Sequence, residues 1–415
     1  MDAQSRKTYI FFATDVVTIS GAPLYYLNKK KYLESKGWTV LIFSFVKGVP
    51  GLTELNLYHK LVIPELKFFP YFYTKKKQKK IINIILGKIP FSQEIIIETS
   101  HPLSAPWAEI IAEKLQCKHF IYSLAERVNS YGIDFYKYLL FKFQRRELVG
   151  IHTHSIPSIM GKSLDDENYK VPSLSVLPTH TITNVAKIDF NKSKILPNRV
   201  NIISIGRPNK PYFLPTMKSF KNYAKDNPQI LFNLIIVGDD SAILKNLKSM
   251  CMECSNVNMV TMGELFPIPE DLLACVDVCI ASSGSATLAK KFGLATISID
   301  AKDLKPIGIL GYNATNSLFR SEKEPPIELS ILLDCILKKK EVQSNFVLPE
   351  SYGKIENYYS HFHFLEKSEP EKKYYRFSQV KSRNKLIVLG GIFIGLNNCN
   401  RIAKVIKRFK KVILK

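Results

Sequence analysis

The sequence predicts an α/β protein with two domains, each built on a parallel β-sheet. The chain has 415 residues, of which 46% are hydrophobic, and this suffices for two cores at about 100–200 residues per domain. Short apolar runs alternate with segments of helical periodicity in both halves, a pattern that produces parallel sheets covered by helices. A polar stretch with three prolines, residues 170–198, separates the two series and reads as a linker. We therefore expect domains over residues 1–198 and 199–365, followed by a tail over 366–415.

The first half begins with a β-α-β unit. We expect a buried strand over Tyr9–Ala13, a loop that ends at Gly21, a helix over Leu24–Lys36 and a second strand over Trp38–Phe45. The remaining predicted elements are strands at Leu61–Ile63, Glu94–Glu98 and His119–Ser123, and a helix at Ala105–Leu115. This alternation is typical of a Rossmann-like domain.

The second half shows a clearer alternation of the same kind. Its predicted elements are a strand over Val200–Ile205, a helix with Phe213, Met217, Phe220 and Ala224 on one face that stops at Asp226-Asn227-Pro228, a strand over Leu231–Val237, a helix around Leu244 and Leu247, a strand over Val257–Met262, a short helix over Pro269–Ala274, a strand over Val276–Ala281, a helix through Phe292 and a strand over Thr296–Ile299. In an open parallel sheet, ligands bind outside the carboxyl ends of the strands. The residues that follow these strands are therefore the candidate site.

A polar loop follows the strand that ends at Ala281. The chain turns there through a glycine and enters a helix, which presents hydroxyls and unpaired backbone N–H groups to a phosphate. The loop residues concerned are Ser283, Gly284, Ser285, Ala286 and Thr287. An ordinary helix cap is the alternative interpretation. Arg207 and Lys210 follow an earlier strand and would bind phosphate oxygens, or else they are solvated loop charges.

These motifs resemble, in order, the nucleotide-donor domain of GT-B glycosyltransferases, particularly the family-4 group. The matching segments are ISIGRPNK, LIIVGDD, NVNMVTMGEL and DVCIASSGSATLAKKFGLATISID, and SGAPLYYLNKKKYLESKGWTVLIFS resembles the opening of the acceptor domain. The resemblance covers residues 9 to about 300. It implies two Rossmann-like domains whose parallel sheets face a central cleft. It also implies hexosyl transfer from a nucleotide-diphosphate sugar to a polysaccharide or lipid-linked oligosaccharide, as in capsule or lipopolysaccharide synthesis.

The resemblance also implies roles for individual residues. Arg207 and Lys210 would neutralise the donor pyrophosphate, the loop from Ser283 to Thr287 would hold phosphate, and backbone around Met262 would frame the nucleobase. Further donor-binding positions are Gly206, Gly238, Gly263 and Glu264, and Gly21 would let the first-domain loop approach the transferred sugar. The candidate catalytic residues are His101, Glu126 and Asp15, for which an ordinary polar loop position is the alternative.

One departure from the family pattern affects the donor site. Family members usually carry a glutamate on the helix after the phosphate loop, where it holds the ribose, but this chain reads Leu288-Ala289-Lys290. Three alternatives follow. Asp300 makes the ribose contact instead, the donor is bound in a different way, or the protein binds the donor without catalysing transfer. The spacing from Arg207 to Lys210 is also shorter than in the family. A sugar-nucleotide epimerase of the same fold is a further alternative.

The sequence predicts neither a metal site nor a cofactor beyond the nucleotide-sugar substrate. No Asp-x-Asp loop motif is evident, and Asp239-Asp240 matches the strand-end acid of the family. The Cys251/Cys254 pair lacks a second pair, and the seven scattered cysteines are expected to be reduced thiols.

The net charge of +23 requires an anionic partner. Much of it lies in the last fifty residues, where residues 400–415 have the pattern of a basic interfacial helix and the eleven apolar residues 386–396 are too few to span a bilayer. We expect contact with an anionic membrane surface, with closing helices packed on the domains as the alternative. Nucleic acid is not expected, because interleaved stacking aromatics are missing. The start of the sequence lacks a secretory signal pattern, which predicts a cytoplasmic protein.

Overall fold

A computed structural model gives the protein's structure. It describes residues 7–13, 16–56, 59–101, 103–124, 133–151, 155–160, 185–320, 325–338, 358–366 and 373–377. Predictions about Asp15, Glu126, Cys399 and the tail segments 386–396 and 400–415 fall outside these residues. The chain divides into two compact units, of which the first comprises residues 1–180 and 353–415 and the second residues 181–352.

The first unit holds a parallel sheet with helices between its strands. Its elements are β1 (Lys7–Phe12), α1 (Gly21–Ser35), β2 (Trp38–Ser44), β3 (His59–Val62), α2 (Lys75–Leu86), β4 (Glu94–Thr99), α3 (Ala105–Leu115), β5 (Lys118–Ser123), α4 (Ile133–Gln144), β6 (Leu148–Gly150) and α5 (Ser155–Met160). The strands pair in the order β3-β2-β1-β4-β5-β6, all parallel. The predicted strands and helices of this half are confirmed. Helices α2, α4 and α5 and strand β6 were not among the predicted elements. Helix α2 lacks a clear helical pattern because its first half is a lysine run and only Ile81 and Ile85 are buried in the core.

The second unit repeats this arrangement with one exception. Its elements are β7 (Val185–Ala186), β8 (Val200–Ile205), α6 (Phe213–Asp226), β9 (Phe232–Val237), α7 (Ser241–Cys251), β10 (Val257–Gly263), β11 (Ile268–Pro269), α8 (Glu270–Ala274), β12 (Val278–Ala281), α9 (Gly284–Lys291), β13 (Ala295–Ile299), β14 (Pro306–Ile309) and α10 (Leu329–Leu337). The large sheet has the order β10-β9-β8-β12-β13-β14, and β14 runs antiparallel to β13. Strand β14 is antiparallel because the short connection from β13 to β14 cannot hold a crossover helix.

Hydrogen bonds to a row of three asparagines, here called the asparagine ladder, attach the segment before β8 to the second unit. Asn201, Asn233 and Asn258 face one another on β8, β9 and β10. The Asn233 amide donates to Asn201 Oδ1 (2.7 Å) and to the Leu196 carbonyl (2.7 Å), and its Oδ1 accepts from the Asn258 amide (2.7 Å) and the Leu196 N–H (3.2 Å). In addition, β7 pairs with β11. The predicted linker over residues 170–198 is therefore wrong for its last part, since residues 185–198 belong to the second unit.

After the second unit the chain returns to the first. Helix α11 (Tyr359–Glu366) and residues 373–377 belong to the first unit, whereas the sequence analysis ended the second domain at residue 365. The return is fixed at a buried ion pair in which Lys29 Nζ lies 2.5 Å from Glu98 Oε2 and 3.0 Å from His361 Nδ1. The hydroxyls of Tyr9 and Tyr25 donate to the Glu98 carboxylate at 2.5 and 2.6 Å. Burial lowers the pKa of Lys29, while the Glu98 charge opposes that shift.

Residues 373–377 contact a second buried cluster, formed by Glu109, His119 and Lys142. Glu109 Oε2 lies 2.6 Å from His119 Nδ1 and 2.9 Å from Lys142 Nζ, and the Tyr375 N–H donates to Glu109 Oε1 (3.0 Å). Burial alone would raise the pKa of Glu109, but Lys142 and His119 outweigh it and hold this pKa at about 2. Burial lowers the pKa of His119 to about 4. A neutral His119 therefore donates from Nδ1 to Glu109, with Nε2 facing the Thr99 hydroxyl at 3.2 Å.

The ladder predicts that Asn233→Ala destabilises the second unit by about 3 kcal/mol, because it leaves several buried polar groups without partners. The shift in the urea midpoint measures this effect. Asn222→Ala, on the exposed face of α6, is the control and should change stability by less than about 0.5 kcal/mol. Equal midpoints for the two variants would contradict the ladder's role.

The Glu109 cluster predicts an acid-labile first unit. Both pKa values lie below their ordinary values, so the unfolded chain binds more protons. The stability is fully present above pH 6.5 and declines as pH falls through about 4 and then about 2. His119→Gln should reduce the slope of unfolding free energy against pH, near pH 5, by up to about 1.4 kcal/mol per pH unit. Asn83→Ala, which removes no titratable group from an exposed position, should keep the parent slope, and an unchanged slope in His119→Gln would refute the assignment.

Candidate active site

Three glycine turns meet at the carboxyl edge of the second sheet. Gly206, Gly238 and Gly263 end the adjacent strands β8, β9 and β10, with φ of +139°, +140° and +72°. The Gly206 N–H donates to the Val237 carbonyl (2.9 Å), and the Gly238 N–H donates to the Gly263 carbonyl (2.8 Å). A Cβ at Gly238 would overlap the Gly206 carbonyl oxygen. The turns therefore form one continuous backbone surface, which a side chain at Gly238 would disrupt.

The loop before α9 lies beside these turns. Ser285 Oγ is 4.0 Å from the position that a Cβ of Gly206 would occupy. Ser283 has φ of +59° and makes no side-chain capping hydrogen bond to the helix. Its own N–H donates to the Ser317 carbonyl at 2.6 Å. The capping interpretation is therefore wrong for Ser283, and the N–H groups of Gly284, Ser285 and Ala286 have no acceptor within the helix.

Two residues that the sequence analysis did not select support this edge. The Thr287 hydroxyl donates to the Ser283 carbonyl (3.2 Å) and lies 3.1 Å from the Ser317 hydroxyl, so Ser317 contacts both ends of the loop. The Tyr212 hydroxyl lies 3.6 Å from the Cβ position of Gly206. Ser317 lies in a loop far along the chain and no sequence motif marks it, while Tyr212 follows Arg207 closely and was identifiable as an aromatic residue in the same turn.

Both basic and acidic side chains lie at this edge. Arg207 is exposed, and within the described part of the chain its guanidinium has no ion-pair partner. Lys210 is half-buried, with Nζ 5.8 Å from the centre of the Tyr212 ring. Glu264 is exposed at the end of β10. Asp240 accepts from the Ile243 N–H (3.2 Å) and so caps α7.

The structure excludes Asp300 as a free ribose ligand. One carboxylate oxygen accepts from the N–H groups of Lys302 (2.6 Å) and Asp303 (3.1 Å), and the other accepts from the Arg320 N–H (2.6 Å). Asp300 thus fixes the turn between β13 and β14. Residues 288–290 of α9 are leucine, alanine and lysine, so this part of the helix carries no carboxylate, and Leu288 and Ala289 are buried in the core.

The first unit places His101 and Gly21 after β4 and at the start of α1. The Leu103 N–H donates to His101 Nδ1 (3.1 Å), which leaves the ring proton on Nε2. Burial lowers the pKa of His101 to about 4, so the ring is neutral at physiological pH. His101 is therefore built to donate a hydrogen bond from Nε2 rather than to accept a proton. At Gly21 an added Cβ would meet no atom within 4 Å, so the backbone there is open.

Thiols and carboxylates do not gather into a metal site in the described residues. No group of three or more histidine, cysteine or acidic side chains is arranged to hold an ion among them. Cys251 and Cys254 are free and buried, and the Cys254 thiol faces the Lys221 carbonyl at 3.8 Å. Within the same residues, no helix is both long and apolar enough to cross a membrane.

Comparison with known proteins identifies the fold. No family model and no curated sequence matches this chain. A glycosyltransferase from Rickettsia africae ESF-5 aligns over 94% of this chain and 98% of its own, at 14% identity and a TM-score of 0.55. Anabaena HepE, solved with UDP and glucose, aligns over 87% of this chain and 95% of its own, at 14% identity and a TM-score of 0.53. The same protein with UDP-glucose gives a TM-score of 0.52 at 12% identity, over 80% of this chain and 90% of its own. The chain thus has the predicted α/β fold of GT-B glycosyltransferases, with two Rossmann-like units.

Proposed function

We propose that this protein is a glycosyltransferase whose second unit binds a nucleotide-diphosphate sugar, with UDP-sugars as the first donors to test. The observation that carries the proposal is the meeting of three glycine turns and the start of α9 at one sheet edge, beside Arg207. Bare backbone allows a ligand to approach closely, and unpaired N–H groups favour a phosphate. The Anabaena protein of the same fold, solved with UDP and with UDP-glucose, supports this choice of donor.

The proposed chemistry depends on stabilising the leaving group. When the bond between sugar and phosphate breaks, negative charge grows on the departing diphosphate. The N–H groups of Gly284, Ser285 and Ala286 would donate to its oxygens, while Arg207 and Lys210 would supply positive charge. The proposal includes metal-independent catalysis, because these donors and cations replace a divalent ion.

The acceptor side of the proposal belongs to the first unit. His101 would donate from Nε2 to a sugar or acceptor hydroxyl, as its hydrogen bond with Leu103 supports. The base that an inverting reaction requires is then assigned to Glu126 or Asp15. The proposed acceptor is a polysaccharide or lipid-linked oligosaccharide of surface-polysaccharide synthesis. The basic tail in the sequence supports a peripheral location at the inner, anionic face of a membrane.

A second candidate function follows from the missing ribose carboxylate. Since Leu288 is buried in the core and Asp300 is bonded to backbone N–H groups, a binding subunit without turnover is the main alternative. A sugar-nucleotide epimerase of this fold would use the same edge for its nucleotide. Incubation with labelled UDP-sugars separates the three functions. A transferase releases UDP and labels an acceptor, an epimerase returns an isomerised UDP-sugar, and a binding subunit leaves the donor intact.

Arg207→Ala should weaken UDP binding about 10- to 100-fold, because a charge-assisted hydrogen bond to phosphate is lost. Isothermal titration calorimetry with UDP measures this change. Lys218→Ala, which removes an exposed cation from α6, is the matched control and should bind UDP as the parent does. Equal dissociation constants for the parent and Arg207→Ala would contradict the donor site.

Gly21→Ala should leave stability unchanged and reduce transfer at least about tenfold, since the new methyl enters space that the fold leaves empty. Thermal unfolding and the transfer rate are measured on the same preparation. Gly37→Ala is the counterpart, because φ of +80° makes it cost about 1 kcal/mol of stability without touching the site. A fully active Gly21→Ala enzyme would remove Gly21 from the acceptor side.

A further inference from the structure

Helix α2 and the segments around it form a strongly basic surface on the first unit. Between Glu65 and Glu94 the chain has seven lysines and neither aspartate nor glutamate. All seven are exposed, and they are Lys67, Lys75, Lys76, Lys77, Lys79, Lys80 and Lys88. Glu65 at one boundary pairs with Lys77 (2.9 Å), and Glu94 at the other pairs with Lys7 (3.0 Å). The remaining positive charge faces solvent.

The helix is anchored so that this basic face points outward. The Thr74 hydroxyl caps its start by accepting from the Lys77 N–H (3.3 Å). One face packs in the core through Ile81 and Ile85, both almost completely buried. At 100° per residue, Lys76, Lys80 and Asn83 lie on the opposite face, and all three are exposed. The lysines are therefore fixed on a rigid element.

Apolar side chains are exposed at the C-terminal end of the same helix. Ile84 is 41% exposed, and Phe91, in the loop that follows, is 86% exposed. A phenylalanine this exposed contributes little to the core of the first unit. Lysines beside an exposed aromatic residue are the combination that holds a protein at an anionic lipid surface, where the cations meet headgroups and the ring enters the interface.

Helix α7 of the second unit lacks this combination and serves as a comparison. It also exposes lysines, Lys245 and Lys248, and the following Met252 is 79% exposed. However, residues 239–253 hold three acids against two lysines. The net charge of this segment is therefore 2 − 3 = −1, whereas residues 66–93 carry +7.

We infer that α2 and the loop carrying Phe91 form a membrane-contact surface for anionic phospholipid headgroups. The inference extends the proposed peripheral location to described residues of the first unit, and it shares no residue with the donor edge. Lipid is favoured over nucleic acid because all seven cations are lysine, whereas guanidinium forks typify nucleic-acid recognition.

The test is flotation of the full chain with phosphatidylcholine vesicles, with and without phosphatidylglycerol, in the absence of any donor. The parent should bind only the anionic vesicles. The triple variant Lys76→Gln/Lys79→Gln/Lys80→Gln should lower the partition coefficient on the order of 100-fold, at about 1 kcal/mol per lysine. Phe91→Ser should lower it about tenfold, by removing the inserted ring.

Matched variants on α7 make the result specific. Lys245→Gln/Lys248→Gln and Met252→Ser should bind anionic vesicles as the parent does. Circular dichroism should show native helix content in every variant, since all changed side chains are exposed. Equal losses in the α2 and α7 variants would overturn the inference, as would parent-like binding by the α2 variants. If the α2 variants lost binding to single-stranded RNA but kept binding to vesicles, the surface would instead be assigned to nucleic acid. Because no donor is present, none of these outcomes depends on the Arg207 result.

Discussion

The close backbone contact between Gly206 and Gly238 is the constraint on which the candidate donor site depends. The two glycines follow adjacent strands, and a Cβ at Gly238 would overlap the Gly206 carbonyl oxygen, so no side chain fits at Gly238. Here the two turns touch through their main chains, and Gly263 continues the line through its carbonyl. This packing brings the start of α9 alongside, with its N–H groups uncapped by Ser283. A site of this kind recognises a ligand mainly by backbone, which leaves specificity for a particular sugar to the side chains at its rim.

The first unit is organised by a different kind of interaction. Its interior holds charged side chains from α1, β4, α3 and α4, paired within two clusters and wrapped in aromatic rings. Buried ion pairs add little net stability compared with apolar packing, but a missing partner is costly. Their main effect is therefore on the specificity of packing, since the carboxylates of Glu98 and Glu109 can be buried only beside groups that donate hydrogen bonds to them. The segment after the second unit brings such neighbours in His361 and the Tyr375 N–H.

The elements of the fold were predictable from the sequence where apolar residues are buried in a regular pattern. They were less predictable where single buried polar groups determine which segments pack together. Strand β8 ends in an apolar run and α3 buries apolar residues at helical spacing, which is why both were predicted with the bounds observed. The glycine turns were predictable because their residue types match their backbone conformations. By contrast, Lys29 reads as a solvent-exposed helix residue, and only the tertiary structure places Glu98 beside it. The same holds for Ser317, whose partners Ser283 and Thr287 are distant in sequence, and for the carboxylate of Asp300, whose partners are backbone N–H groups.

The return of the chain to the first unit has a consequence for how the molecule is made. The second unit is a continuous stretch, whereas the first is interrupted by it and completed by residues that leave the ribosome later. Until α11 emerges, Lys29 lacks His361, and until residues 373–377 follow, Glu109 lacks the Tyr375 N–H. The buried polar contacts of the first unit are therefore completed only after the whole second unit has been synthesised.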